Sequence, residues 1–415
     1  MQLKEFKKIV KDYVCPMLSG AEITDNVVEA DKTHELAALQ RNGQLMHLSP
    51  SKQATYKLEL RRNQAFNRVD SELIKSVLRE IVSIYDSSIA LYRNRVISYA
   101  IEVGLCRFLS AAHSKVLVDV LQAFDEWSVR TYEGRKPTFS IVVEFDNKQT
   151  IDEQHPPIKS ILREDFSALL SNSAESALVI SAYGALHCYA TLPITSYDNI
   201  YSPLRFVSFA NHATEHKICL TLTNNGDILI FKDQKLSFAK RNGKWSYYNH
   251  ESIMKKLGGG AVELRKALYA TILDVSFART GGCIAAIALS NVKRLIVDDG
   301  LSPTSTIKRA DILKRPTSIK SNALSRLIQE RKFQDIDRVS RKELVGIDGA
   351  TIVDNSGNVI AAGAIIKIDG GSTGGGRLAA TKTLAPYGIA VKVSADGMVK
   401  AFTSERGTSQ LAFEI

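Results

Sequence analysis

The residues best suited to chemistry lie between Asp348 and Lys382. Asp348-Gly349-Ala350 stands directly before the apolar Thr351-Ile352-Val353, so a carboxylate heads a strand-forming segment. A carboxylate in that place can hold a divalent metal or orient a hydroxyl. Further on, Asp369-Gly370-Gly371-Ser372-Thr373-Gly374-Gly375-Gly376 leads into the helix-forming Arg377-Leu378-Ala379-Ala380-Thr381-Lys382-Thr383-Leu384-Ala385. Gly374, Gly375 and Gly376 carry no side chains, so their N–H groups can approach an anion closely. The helix they open turns its positive dipole end to the same place. Arg377 adds a fork-shaped donor in the first turn, and Thr381 and Lys382 are further donors on the same helix. A glycine run can also be a plain connector. With Asp348 and Arg377 beside it, the combination predicts a nucleotide site in which Asp348 binds metal or orients a hydroxyl and the glycine backbone with Arg377 cradles the phosphates.

The elements needed to position these groups are written around them. Asn355-Ser356-Gly357-Asn358 is a tight turn between strands at 351–354 and 359–368, and Gly388 to Ser394 is a further strand. The order is strand, turn, strand, glycine loop, helix, strand. This segment resembles the diadenylate cyclase (DAC) domain, the nucleotide-binding domain of the DNA integrity scanning protein. Asp348-Gly349-Ala350 matches that family's Asp-Gly-Ala motif in full. Gly375-Gly376-Arg377-Leu378-Ala379-Ala380 matches its Gly-Thr-Arg-His-Arg-Ala-Ala motif in part, without the histidine and one arginine. Val393-Ser394-Ala395-Asp396-Gly397 follows its Val-Ser-Glu-Glu-x-Gly motif loosely.

The resemblance implies a mixed sheet flanked by helices that binds ATP or another adenine nucleotide with Mg2+ or Mn2+. It implies a nucleotidyltransferase that makes a cyclic adenine nucleotide signal, with Asp348 on the metal and attacking hydroxyl. It also implies a homo-oligomer, because a single ATP site cannot close a ring. The shortened arginine motif leaves a second expectation open, a sensor that binds a nucleotide or cyclic dinucleotide without turnover in a bacterial signalling or defence system.

Composition agrees with an anionic partner. The chain has 415 residues and a net charge of +10, with ordinary hydrophobic and charged fractions of 45% and 24%. Cys15, Cys106, Cys188, Cys219 and Cys283 are widely spaced, which argues against a disulfide framework and a zinc site. No signal-peptide core and no bilayer-spanning apolar run is present, so a cytoplasmic protein with no membrane partner is expected. A weaker alternative is nucleic-acid binding through the basic stretch 308–342.

The expected fold class is α+β, in three parts. Residues 1–150 are helix-rich, with apolar stripes at Leu73, Val77, Ile81, Ile84 and Tyr85 and at Val116, Val120, Phe124 and Trp127. Residues 151–214 form a connecting α/β segment, in which His187 and Cys188 read as packed core residues in preference to a metal pair. Residues 215–415 form the DAC-like domain, opening on a β-meander whose turns carry Asn-Gly. Its helix-and-sheet core begins near 262, where Leu264, Leu268, Ile272 and Val275 share a helix face. Leu324, Leu327 and Ile328 are expected on the core side of a later helix. No internal repeat is visible in the residue pattern.

Overall fold

Helical periodicity and runs of β-branched residues set most of the elements. The computed structural model describes residues 1–29, 35–85, 93–169, 171–193, 196–258, 260–295, 306–314, 316–368, 375–405 and 408–415. The chain is α+β and forms two units, Met1–Ser196 with Phe206–Tyr248, and Tyr197–Arg205 with Asn249–Ile415. Among the described residues no helix is long and apolar enough to cross a membrane.

In the first unit, α1 (Leu3–Ile9) runs through a π-helical stretch (Val10–Val14) into α2 (Cys15–Met17). An antiparallel sheet follows, of β1 (Glu22–Glu29), β2 (Ala37–Gln40), β3 (Leu45–Leu48) and β4 (Tyr56–Arg61), in the order β1-β4-β3-β2. Then come α3 (Arg68–Tyr85), α4 (Arg93–Leu109) and α5 (Ser114–Ser128). The remaining elements are β5 (Phe139–Glu144), α6 (Ile158–Ile161), β6 (Ser176–Ser181), β7 (Leu186–Thr191), α7 (Val207–His212), β8 (Lys217–Leu222), β9 (Ile228–Lys232), β10 (Lys235–Arg241) and β11 (Lys244–Tyr247). They make a sheet ordered β11-β10-β9-β8-β5-β6-β7, in which β5 is parallel to β6 and antiparallel to β8. The expected stripe on α5 is buried, and so are Leu73, Val77 and Ile81 on α3, while Ile84 and Tyr85 at its end are partly buried against the same core. His187 and Cys188 are exposed on β7, a sheet-edge strand, and His187 is hydrogen-bonded to Gln149. They are not the packed pair that the apolar context suggested.

The second unit begins with α8 (His250–Lys256) and α9 (Val262–Ala278), then β12 (Gly282–Ile287), α10 (Leu289–Leu295), α11 (Ile319–Ile328) and α12 (Arg338–Gly346). It continues with β13 (Ala350–Asp354), β14 (Val359–Ala364), α13 (Gly376–Leu384), β15 (Gly388–Val393), β16 (Val399–Glu405) and β17 (Thr408–Glu414). Their sheet is ordered β14-β13-β12-β15-β16-β17, with β12 parallel to β13 and antiparallel to β15. The meander β8–β11 extends the sheet of the first unit through β5, so the units part after Tyr248 and not at 214–215. Leu327 is exposed, while Leu324 and Ile328 reach the core.

The two larger sheets share one plan. The run β10-β9-β8-β5-β6-β7 has the same order and strand directions as β17-β16-β15-β12-β13-β14. The sequence hides this repeat because what recurs is strand pairing and turn geometry, with few shared residues.

One polar cluster lies inside the first unit. Lys240 Nζ is 2.7 Å from carboxylate oxygens of both Glu102 and Asp125. Burial, then the charge of Asp125, raises Glu102 to about 7 from its ordinary 4.5, against the pull of Lys240. The folded state therefore holds this proton more tightly than the unfolded chain does. The stability it contributes is complete below 4.5 and is lost as pH rises through about 7. Thermal unfolding from pH 4.5 to 8 will show a falling melting temperature in the wild type and a flatter profile in Glu102→Gln. Parallel profiles would remove Glu102 as the cause.

Candidate functional site

Two helix-to-strand connections deliver the candidate groups to one end of the second sheet. Helix α9 ends at Arg279, which adopts a left-handed conformation, and Thr280-Gly281 leads into β12. Helix α12 ends at Gly346, and Ile347-Asp348-Gly349 leads into β13. Ile284 of β12 is opposite Thr351 of the parallel β13. Continuing that register backwards sets Asp348 one strand over from Gly281. Gly282 is opposite Val393 of the antiparallel β15, so Ser394 and Ala395 leave the sheet at this same end. A Cβ on Gly281 would stand 2.3 Å from Nη1 of Arg377 and 3.4 Å from the amide of Ala395. The Arg377 guanidinium therefore lies directly over Gly281, in space that a side chain there would take.

The carboxylate and the guanidinium are both uncommitted. Asp348 is exposed and Arg377 half-buried. Among the described residues neither side chain has a hydrogen-bond or ion-pair partner. Gly375 caps α13 with φ 90°, and a Cβ on Gly375 or Gly376 would meet nothing within 4 Å. The carbonyl of Gly375 accepts from Leu378 and Ala379, and the first amides of α13 have no acceptor among the described residues. Among the described residues, nothing covers the helix start. Gly374, with the rest of 369–374, lies outside the described residues.

Other sequence candidates have structural duties. Gly349 has φ 107°, and a Cβ there would fall 2.5 Å from the carbonyl carbon of Gly363, so its glycine serves close strand packing. Ala350 is fully buried. Thr381 is buried, donates to the Arg377 carbonyl at 2.7 Å and lies 3.4 Å from Cys283 Sγ, so it joins α13 to β12 and does not face an anion. Lys382 Nζ sits 5.9 Å from the ring centre of Phe402 on β16. Burial pushes the Cys283 thiol up to about 11, with smaller opposing effects from Thr381 and Arg377, so it stays protonated and is no nucleophile. Among the described residues no three His, Cys, Asp or Glu side chains gather as a metal site. Asp348 alone fits a magnesium-type ion, which takes one or two carboxylates and completes its shell with phosphate oxygens and water.

Arg338 also sits elsewhere than its sequence context suggests. It stood among the basic residues of 308–342, yet it is buried. Its Nε donates to Asp274 Oδ2 at 2.8 Å, and Nη2 donates to Asp274 Oδ1 at 2.8 Å and Ser202 O at 2.6 Å. Nη1 donates to the carbonyls of Tyr197 at 2.9 Å and Asn199 at 2.8 Å. Every guanidinium N–H has an acceptor. Leu204 N donates to Asp274 Oδ1 at 2.7 Å. Burial pushes the Asp274 carboxyl up, and Arg338 and the Leu204 amide pull it back. The signal for this pair was Asp274 itself, an acid inside the apolar stretch Ala270-Thr271-Ile272-Leu273-Asp274-Val275. Arg341 donates to the carbonyls of Gln334 and Ile336, and Lys320 to Asp311 and the Gly363 carbonyl. The basic stretch is therefore spent partly on internal bonds and does not form one free cationic face.

No protein-family model, curated protein or solved structure matches the chain.

Removing Arg338 strands a buried carboxylate and several carbonyls. Arg338→Met is expected to cost roughly 3–5 kcal/mol, lowering the melting temperature of the second unit by about 10 °C. Calorimetry that finds the transition unmoved would show that the pair does not hold the α9–α12 packing.

Proposed function

We propose that the second unit binds an adenine nucleoside triphosphate with Mg2+ or Mn2+ at the sheet end that carries Gly281, Asp348 and Arg377. One observation carries this reading. An exposed carboxylate and a guanidinium share that end with the start of α13, and among the described residues neither side chain has a partner and the first amides of the helix have no acceptor. A guanidinium and open helix-start amides suit phosphate oxygens. Asp348 supplies the carboxylate for a metal that those phosphates also bind. The net charge of +10 favours capture of a polyanion.

The resemblance to diadenylate cyclase domains supplies the reaction. The 3′-oxygen of one nucleotide bonds to the α-phosphorus of another, the bond to the β-phosphate oxygen breaks, and pyrophosphate departs. The hydroxyl proton passes to solvent. Asp348 orients the hydroxyl, and Arg377 with the amides of Gly375 and Gly376 offsets charge growing on the phosphates. Closing a ring needs a second site, hence a homo-oligomer. A second reading, a sensor without turnover, draws support from the shortened motif at 375–380, which holds Arg377 but neither the histidine nor the second arginine, and from Thr381, whose hydroxyl is bonded to the Arg377 carbonyl.

Calorimetric titration with ATP and Mg2+ separates these readings from failure. Arg377→Met should weaken binding about 10- to 100-fold, since hydrogen bonds to charged groups contribute roughly 1.5–3 kcal/mol each. A phosphodiester-linked product in mass spectra, absent in Asp348→Asn, selects the enzyme. Tight binding with no product selects the sensor. No binding of any nucleotide removes both.

A further inference from the structure

The correspondence between the two larger sheets extends to individual residues. Phe139 and Gly282 begin the central strands, opposite Leu222 and Val393. In the parallel pairing Ile141 meets Leu178 as Ile284 meets Thr351. The next hairpin turns identically. Ser181 N donates to Ala185 O and Asp354 N to Asn358 O. Ser181 Oγ accepts from the amides of Tyr183 and Ala185, as Asp354 Oδ1 does from Ser356 and Asn358. At the far end, Leu236 pairs with Phe231 and Phe238 with Ile230, so Ser237 bulges out. Leu411 pairs with Phe402 and Phe413 with Ala401, so Ala412 bulges at the same place. Both bulge carbonyls accept a hydrogen bond, from Tyr248 N and from Lys256 Nζ respectively.

This register maps the candidate site onto the first unit. Glu175 stands where Asp348 does, and it too is exposed. Thr138 stands where Gly281 does. A Cβ at that position takes the space that the Arg377 guanidinium fills in the second unit, 2.3 Å away. Counting back from the first residues of β8 and β15, Phe206 stands where Arg377 does. Phe206 is buried, with its ring 6.2 Å from that of Phe231. Leu204 and Arg205 correspond to Gly375 and Gly376, and they lie in the segment Tyr197–Arg205, which belongs to the second unit. There Leu204 N is bonded to Asp274, and Arg338 takes the carbonyls of Tyr197, Asn199 and Ser202. The first copy has the acid but neither the glycine nor the arginine at the matching places.

We infer that the chain is a tandem repeat of one nucleotide-binding fold in which only the second copy retains a phosphate site, so each chain takes one nucleotide. The inference rests on the nucleotide reading above. The first copy cannot act as an internal partner for ring closure, and joining two nucleotides requires the second unit of another copy of this chain.

Native mass spectrometry of the full chain with ATP and Mg2+ tests it. One ATP per chain is expected, lost in Arg377→Met and kept in Glu175→Gln. Hydrogen exchange on the wild type gives a second readout that needs no variant. ATP should slow exchange at 281–283 and 375–379 and leave 138–140, 174–176 and 205–207 unchanged. Two ATP per chain, loss of binding in Glu175→Gln, or protection at the first-unit positions would overturn the inference while leaving nucleotide binding intact. Absence of ATP from the wild-type chain would overturn the nucleotide reading and this inference with it.

Discussion

The five N–H groups of Arg338 end on Asp274 and on the carbonyls of Tyr197, Asn199 and Ser202, all inside the second unit. A buried guanidinium is tolerated only where each donor is satisfied and a counter-charge is in contact. That requirement fixes α12 against α9. Each of these helices runs straight into a strand, α9 into β12 through Gly281 and α12 into β13 through Asp348. Clamping the helices therefore sets the height at which Gly281 and Asp348 arrive at the sheet. The pair never touches the candidate site, yet it governs the spacing of the groups there.

Small residues complete the positioning. Gly349 and Gly363 allow β13 and β14 to close tightly just beyond Asp348, and a Cβ on either would press into backbone or into Ile347. Gly281 leaves the gap into which Arg377 folds. Thr381 ties the helix that carries Arg377 to Cys283 in the central strand. None of these contacts pairs Asp348 or Arg377 with an opposite charge. The charged groups at the sheet end are thereby left without internal partners among the described residues, which suits an external anion.

Most of the strands and long helices of the second unit were legible in the sequence, because their signals are local. The turn at Asn355-Ser356-Gly357-Asn358, the alternation before and after it, and the apolar face of Val262–Ala278 each decide their own segment. What stayed hidden depends on partners distant in sequence. Arg338 looked like one cation among many until Asp274 was placed opposite it. Thr381 looked like a phosphate donor, although in a helix its hydroxyl readily returns to the carbonyl of Arg377. The meander at 217–248 looked like the start of the last domain because sequence order cannot say that β8 pairs with β5. The repeat was invisible for the same reason, since it is written in register and bulge position.

The most direct measurement is a crystal structure of the full chain grown with ATP and Mg2+. The phosphates are expected within hydrogen-bond distance of the Gly375 and Gly376 amides and the Arg377 guanidinium, with the metal between them and Asp348. A nucleotide bound at any other place, or density for none at saturating concentration, would contradict the assignment of this sheet end as the site.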